Sequence, residues 1–116
     1  MLTLRKIEKT INQFYDLVNN YPEEIKKDLD TYGLDAKVLN DLMKDYIDDL
    51  QNEYIEMDAE YKAYLKEEKL NIFQKINMKS LVFYMEKYKE LIKKATEMQR
   101  KINKVEFRIK QFKYFS

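Results

Sequence analysis

The chain of 116 residues contains no histidine and no cysteine, so any chemistry it performs depends on other side chains. Their absence removes the commonest general base, the thiol nucleophiles and zinc sites with nitrogen or sulfur ligands. Carboxylates remain, and residues 45–56 carry the densest run of them. A magnesium site on such a run needs a second acidic helix opposite it, but acids and lysines alternate after residue 80. We therefore expect no catalytic residue, no metal site and no cofactor.

A second acidic group, DLDTYG at residues 28–33, has the spacing that begins a calcium-binding loop. Its first, third and sixth positions are Asp28, Asp30 and Gly33. Tyr32 stands at the fifth position and Leu39 at the twelfth, where such a loop requires a bidentate glutamate. This stretch therefore predicts a helix that ends on glycine.

Seven carboxylates recur along one predicted helix within about 140° of arc, away from a seam of apolar residues. Successive acids on such a face lie roughly 5–6 Å apart, close to the spacing of backbone phosphates. The pattern predicts a partner-binding surface that occupies the basic groove of a nucleic-acid-binding protein. There are two alternatives: the acids are simply solvated, or they form ion pairs with lysines on the other helix of the hairpin. The seven residues, the acidic face, are Asp41, Asp45, Asp48, Asp49, Glu53, Glu56 and Glu60.

A basic patch follows near the other end of the chain, formed by Arg100, Lys101, Lys104 and Arg108, with Phe107 among them. Positive charge interleaved with aromatic rings can bind single-stranded nucleic acid by attraction and stacking. Lysines near a helix C-terminus are also favoured by the helix dipole. We therefore expect a structural role, with direct nucleic-acid binding as the alternative and no membrane binding.

Charge is divided unevenly, although the net charge is only +1. Residues 21–60 carry 13 acids and 4 bases, which gives −9, while residues 61–116 carry 6 acids and 15 bases, which gives +9. The overall field thus favours neither nucleic acid nor membrane, but the two parts of the chain attract each other.

The elements that must position these residues are all helical. One glycine and one proline are too few for the turns of a β-fold. Apolar residues recur at steps of three and four, which predicts helices at about 3–20, 22–32, 36–69 and 80–113. Pro22 begins the second helix, Gly33 ends it and Asp35 caps the third. Residues 70–79 can extend a helix or form a turn, with Asn77 or Ser80 capping the last helix.

Two long seams of similar length joined by a short connection predict an antiparallel, coiled-coil-like hairpin. With the N-terminal helix and the short connector helix it makes a three- to four-helix bundle, a single domain over residues 1–116. The apolar stretch 81–85 is expected to be wrapped by the first or second helix. The alternative is that the seams pair with a second copy, which makes the protein a homo-oligomeric assembly component.

No sequence motif links the chain to a family. Lysine outnumbers arginine 19 to 3, and asparagine, isoleucine and tyrosine are abundant, which indicates an AT-rich genome. Small charged helical proteins of such genomes include phage and mobile-element inhibitors of the anti-CRISPR or other counter-defence type, and also virion scaffolds. We expect a non-enzymatic inhibitor that binds a nucleic-acid-handling protein in the cytoplasm of a bacterial host. The alternatives are a self-associating coiled coil and a nucleic-acid-binding accessory protein.

Overall fold

The computed structural model describes residues 4–115, with the side chains of residues 5–114. Within this range the chain forms four helices and no strand: α1 (Leu4–Asn20), α2 (Pro22–Lys27), α3 (Leu29–Leu65) and α4 (Ile72–Phe115). The long helices α3 and α4 pack against each other as a hairpin. The prediction of an all-α hairpin with an N-terminal helix and a short connector helix is confirmed.

Helix α1 follows the predicted seam, because Ile7, Ile11 and Val18 are all buried. The Tyr21 backbone N–H donates to the carbonyl of Leu17 at 2.9 Å and closes its last turn. Pro22 then begins α2, where its missing N–H and restricted φ suit the first helical position. Residue 3, which the predicted helix included, and the Leu4 side chain lie outside the described residues.

Asp28 separates α2 from α3, so the predicted boundary near residues 32–36 is wrong. The Asp28 backbone leaves the helical region with φ −141° and ψ 56°, which ends α2 after six residues. Its side-chain Oδ1 then accepts a hydrogen bond from the Thr31 N–H at 3.4 Å. An aspartate at this position satisfies an N–H that otherwise has no partner in the first turn.

Gly33 lies inside α3 and does not terminate a helix. Asp35 also lies inside α3, six residues after its start, and does not cap it. No described residue has a positive φ, so Gly33 does not use the conformation that makes glycine a helix terminator. The prediction failed because glycine in a helix interior costs only about 1 kcal/mol, which α3 tolerates over 37 residues.

Helix α4 begins at Ile72, eight residues before the predicted start, because Asn71 and Gln74 form a reciprocal cap. The Gln74 N–H donates to Asn71 Oδ1 at 2.8 Å, and the Asn71 N–H donates to Gln74 Oε1 at 2.9 Å. This is the capping-box arrangement, here with asparagine and glutamine. Asn77 and Ser80, the expected caps, are exposed positions within the helix.

Contacts divide the chain into two units, each of which contains one segment of α3 and one segment of α4. The first unit is Met1–Asp45 with Ala95–Ser116, and the second is Tyr46–Lys94. A single domain over the whole chain stays a prediction.

The first unit has a core to which all four helices contribute. Val18, Ile25 and Ala36 are fully excluded from solvent, and they pack with Val105 and Ile109 of α4. Phe14 of α1 and Tyr32 of α3, which pack against this cluster, stack with ring centroids 5.9 Å apart.

The second unit consists of α3 and α4 segments alone, with the connection between them. Its buried residues are Ile47, Leu50 and Met85, which retain 7–9% of their exposure. Phe83 and Tyr84 are more than half exposed, so the prediction that another helix wraps the stretch 81–85 is wrong. Helices α1 and α2, the expected covers, belong to the first unit.

Candidate interaction surfaces

The second unit carries five carboxylates of the acidic face: Asp48, Asp49, Glu53, Glu56 and Glu60, all of them exposed. Ile47 and Leu50 of the same helix are buried. Steps of three and four residues turn apolar side chains towards α4, and the positions between them point away from it. Asp48 and Glu60 are 12 residues apart, so these carboxylates extend over about 18 Å of helix.

Glu53 differs from the other acids because it contacts α4. Its carboxylate accepts a hydrogen bond from the Tyr88 hydroxyl, and this bond, together with partial burial, raises the pKa of Tyr88 above its ordinary value. Beside this pair the Lys89 Nζ lies 5.8 Å from the centre of the Tyr54 ring. Glu53 therefore stabilises the hairpin.

Positive charge is scarce on this part of α3, where residues 46–65 contain six acids and one lysine. That lysine, Lys62, forms an ion pair with Asp58 at 2.9 Å, which raises the pKa of the lysine. Among the described side chains, no base pairs with the four acids Asp48, Asp49, Glu56 and Glu60. The second unit thus has an exposed row of unneutralised carboxylates.

The first unit carries the other two predicted acids, Asp41 and Asp45, which are also exposed. Beside them runs an apolar stripe that the sequence analysis missed. Leu34, Val38 and Leu42 retain 64%, 56% and 40% of their exposure. Their spacing of four residues places them on one helix face, but the sequence alone does not show whether that face is buried or exposed.

The basic patch lies in the first unit, and two of its four side chains contact α1 or the helix itself. Lys101 donates to Asn12 Oδ1 at 3.0 Å and lies 5.9 Å from the centre of the Tyr15 ring. The Arg108 guanidinium lies 5.7 Å from the centre of the Phe112 ring. Lys101 therefore joins α4 to α1, whereas Arg108 contacts its own helix; the role of the patch stays a prediction.

An open groove of about 450 Å³ runs beside this patch, between α1 and α4. Tyr15 and Phe107 supply apolar surface above the buried Val18, and Lys104 and Arg108 lie at its edge. Phe107 is 63% exposed, although it is a large aromatic residue. The groove thus combines apolar surface with positive charge.

The residues with calcium-loop spacing have other roles. Asp28 caps α3, as described above, and Asp30 pairs with Lys113 of α4 at 2.9 Å. Within residues 5–114 no three acidic side chains come close enough together to hold a metal ion. No helix of the described chain has an apolar stretch long enough to cross a bilayer.

Comparisons of the chain with protein-family models, with curated proteins and with solved structures find no match. Proposals about function therefore depend on the surfaces described above.

Proposed function

We propose that the protein is a non-enzymatic binding protein and that Asp48, Asp49, Glu56 and Glu60 bind a basic surface of a partner protein. The supporting observation is that these four carboxylates are exposed and unpaired along one side of α3. Holding like charges close together has a repulsive cost, which an oppositely charged partner relieves. A face that served only to keep the chain in solution does not require this concentration of one sign.

The class of partner follows from the sign and the extent of the charge. The four carboxylates lie at steps of one, seven and four residues and extend over about 18 Å of α3. A negative row of this length fits a groove lined by lysine and arginine, such as those that bind nucleic acid. Occupation of this groove displaces the nucleic acid, so the protein acts as a competitive inhibitor. Long-range attraction makes such binding fast and sensitive to salt.

Composition supports the cellular setting of this proposal. The preference for lysine over arginine indicates an AT-rich genome, and we place the partner in the cytoplasm of a low-GC bacterium. In that setting an inhibitor of phage or mobile-element origin, of the anti-CRISPR or other counter-defence type, meets a host protein that handles nucleic acid.

A matched pair of double variants tests the acidic face. Glu56→Lys with Glu60→Lys reverses two acids on α3, and Glu86→Lys with Glu90→Lys reverses two exposed acids at the same spacing on α4 of the same unit. The tagged protein is used to capture partners from a nuclease-treated lysate of a low-GC bacterium. We expect the α3 variant to weaken binding of the captured protein at least about tenfold and the α4 variant about twofold or less.

The competitive mechanism requires a second measurement on the captured protein. Its binding to a labelled oligonucleotide should weaken as the wild-type protein is added, and the α3 variant should not produce this effect. Circular dichroism shows whether both variants keep their helical content. Equal binding by the two variants, or capture that depends on nucleic acid, would contradict the proposal.

A further inference from the structure

The first unit has an exposed ridge on α3 that combines aliphatic and acidic side chains. Leu34, Val38 and Leu42 form its crest, and the acids Asp41 and Asp45 flank them. With Asp35, which is also exposed, these residues lie within about 120° of the helix circumference, and no lysine falls in that arc. We call this surface the acidic ridge.

The same unit has a surface of opposite character, the groove between α1 and α4, which we call the basic groove. Its apolar lining comes from Tyr15, Val18 and Phe107, and its charged edge comes from Lys104 and Arg108. Val105, Asn19, Asn103 and Gln111 complete the lining, so no acid lines the groove. The acidic ridge and the basic groove have no residue in common.

We infer that the acidic ridge of one copy of the chain binds in the basic groove of a second copy. The apolar crest packs against the exposed Phe107 and the half-buried Tyr15, and the carboxylates of the ridge approach Lys104 and Arg108. Apolar surface at the centre with complementary charge at the edge is the usual composition of a protein interface. A cationic partner of the ridge, or a nucleic acid in the groove, would match only one of the two surfaces.

The contact between copies joins two different surfaces, so it is heterologous. Each copy that uses its ridge still has an unoccupied groove, and the copy that receives the ridge still has its own ridge. Such contacts produce rings or open chains of copies, unlike a two-fold dimer, in which one patch meets itself. This property allows a decisive test.

Two blocked variants separate the two surfaces. The ridge variant carries Asp41→Lys and Asp45→Lys, and the groove variant carries Lys104→Glu and Arg108→Glu. Sedimentation velocity of the wild type should show a mass that increases with concentration between about 5 and about 500 µM, the range of a weak heterologous contact. Each variant alone should stay monomeric, with association at least about tenfold weaker than that of the wild type.

An equal mixture of the two variants provides the positive outcome. The groove variant retains its ridge and the ridge variant retains its groove, and the two reversed surfaces again carry opposite charges. The mixture should therefore associate, although neither variant associates alone. A variant with Glu86→Lys and Glu90→Lys, two exposed acids of α4 that belong to neither surface, has the same change of charge and should associate like the wild type. Circular dichroism confirms that each variant is helical.

Several outcomes would overturn the inference. A wild type that stays monomeric throughout the range, or variants that associate as strongly as the wild type, excludes the contact. A mixture that remains monomeric excludes the pairing of ridge with groove. If the wild type is monomeric but binds an oligonucleotide that the groove variant does not bind, the groove receives nucleic acid and no second copy. None of these results bears on the proposed function, which depends on carboxylates of the second unit.

Discussion

The two units differ in how many helices surround the seam between α3 and α4. In the first unit α1 and α2 cover this seam, and Val18, Ile25 and Ala36 reach 0% exposure. In the second unit only two helices meet, and the best-buried residues, Ile47, Leu50 and Met85, keep 7–9%. A heptad pattern therefore predicts which residues contact each other across the seam. The number of helices around the seam determines whether those residues are excluded from solvent.

The composition of the second unit fits its wetter seam. Tyr46, Tyr54, Tyr61, Tyr64 and Tyr88 are half-buried along it. A tyrosine can place its ring in an apolar contact and keep its hydroxyl at a polar group, as Tyr88 does with Glu53. Where two helices cannot exclude water, amphipathic side chains replace aliphatic ones.

The largest expected difference between the units is in the cost of a core truncation. Ile25→Ala should lower the free energy of unfolding by about 3 kcal/mol, because a fully enclosed side chain leaves a cavity. Leu50→Ala should lower it by about 2 kcal/mol, because water reaches its seam. Urea unfolding followed by circular dichroism measures both. The exposed Ile55→Ala is the control, and an equal cost for Leu50 and Ile25 would remove the distinction between the units.

Removal of the α4 cap, which lies in the second unit, should have the next largest effect on stability. Asn71→Ala should lower the free energy of unfolding by about 1 kcal/mol, because the Gln74 N–H loses its acceptor, the Asn71 Oδ1. Asn77→Ala removes the same side chain from an exposed helical position and should change stability by less than about 0.5 kcal/mol. Hydrogen exchange at residues 71–75 locates the effect. Similar exchange in both variants would show that the Asn71–Gln74 pair is unimportant.

Gly33→Ala tests the first unit in the opposite direction, by stabilising it. The added Cβ lies 3.9 Å from Ile109 Cγ2 and 4.0 Å from Lys113 Nζ, which are ordinary contact distances. Since the backbone of Gly33 is helical, alanine should raise the free energy of unfolding by about 1 kcal/mol. Thermal and urea unfolding measure the change. A loss of stability would show that the α3–α4 packing at this point is too tight for a methyl group.

The pH dependence of the Tyr88–Glu53 pair is the smallest expected effect. The pKa of Tyr88 is raised in the folded state, so its neutral form is favoured there. The stabilisation is complete below the ordinary tyrosine pKa of about 10 and is lost as pH rises through the raised value. Glu53→Gln should move the pKa of Tyr88 back towards 10, as followed by ultraviolet absorbance. Comparison with Tyr88→Phe isolates this residue from the other tyrosines, and identical titrations with and without Glu53 would exclude the pair.

Helical periodicity was sufficient to predict the seams. Ile7, Ile11 and Val18 of α1 recur at steps of four and seven residues, Ala95, Met98 and Ile102 of α4 recur at steps of three and four, and all six are buried. The exposure of the seven acids followed from the same arithmetic, because they lie away from the apolar arc. Whether they form a binding site stays a prediction.

Helix boundaries were less predictable because several residues compete to form them. The boundary forms at Asp28 and not at Gly33. A capping hydrogen bond from Asp28 stabilises a helix start there, and this stabilisation is larger than the cost of keeping Gly33 inside the helix. Asn71 outweighed Asn77 because only Asn71 has a glutamine three residues later in the position of a reciprocal cap. The exposed crest at Leu34, Val38 and Leu42 was missed because spacing alone does not say which side of a helix another helix covers.

The six-residue connection between α3 and α4 has a consequence for the order in which the chain folds. Closing this short loop brings the ends of the two helices together, whereas the contact of Lys101 with Asn12 joins residues 89 positions apart. The entropy of closing the longer loop directly is greater by about 2 kcal/mol. We expect the second unit to form in the transition state and the first unit to follow. The region with the weaker core would then be the folding nucleus, and mutations there would slow folding, whereas those around Ile25 would mainly accelerate unfolding.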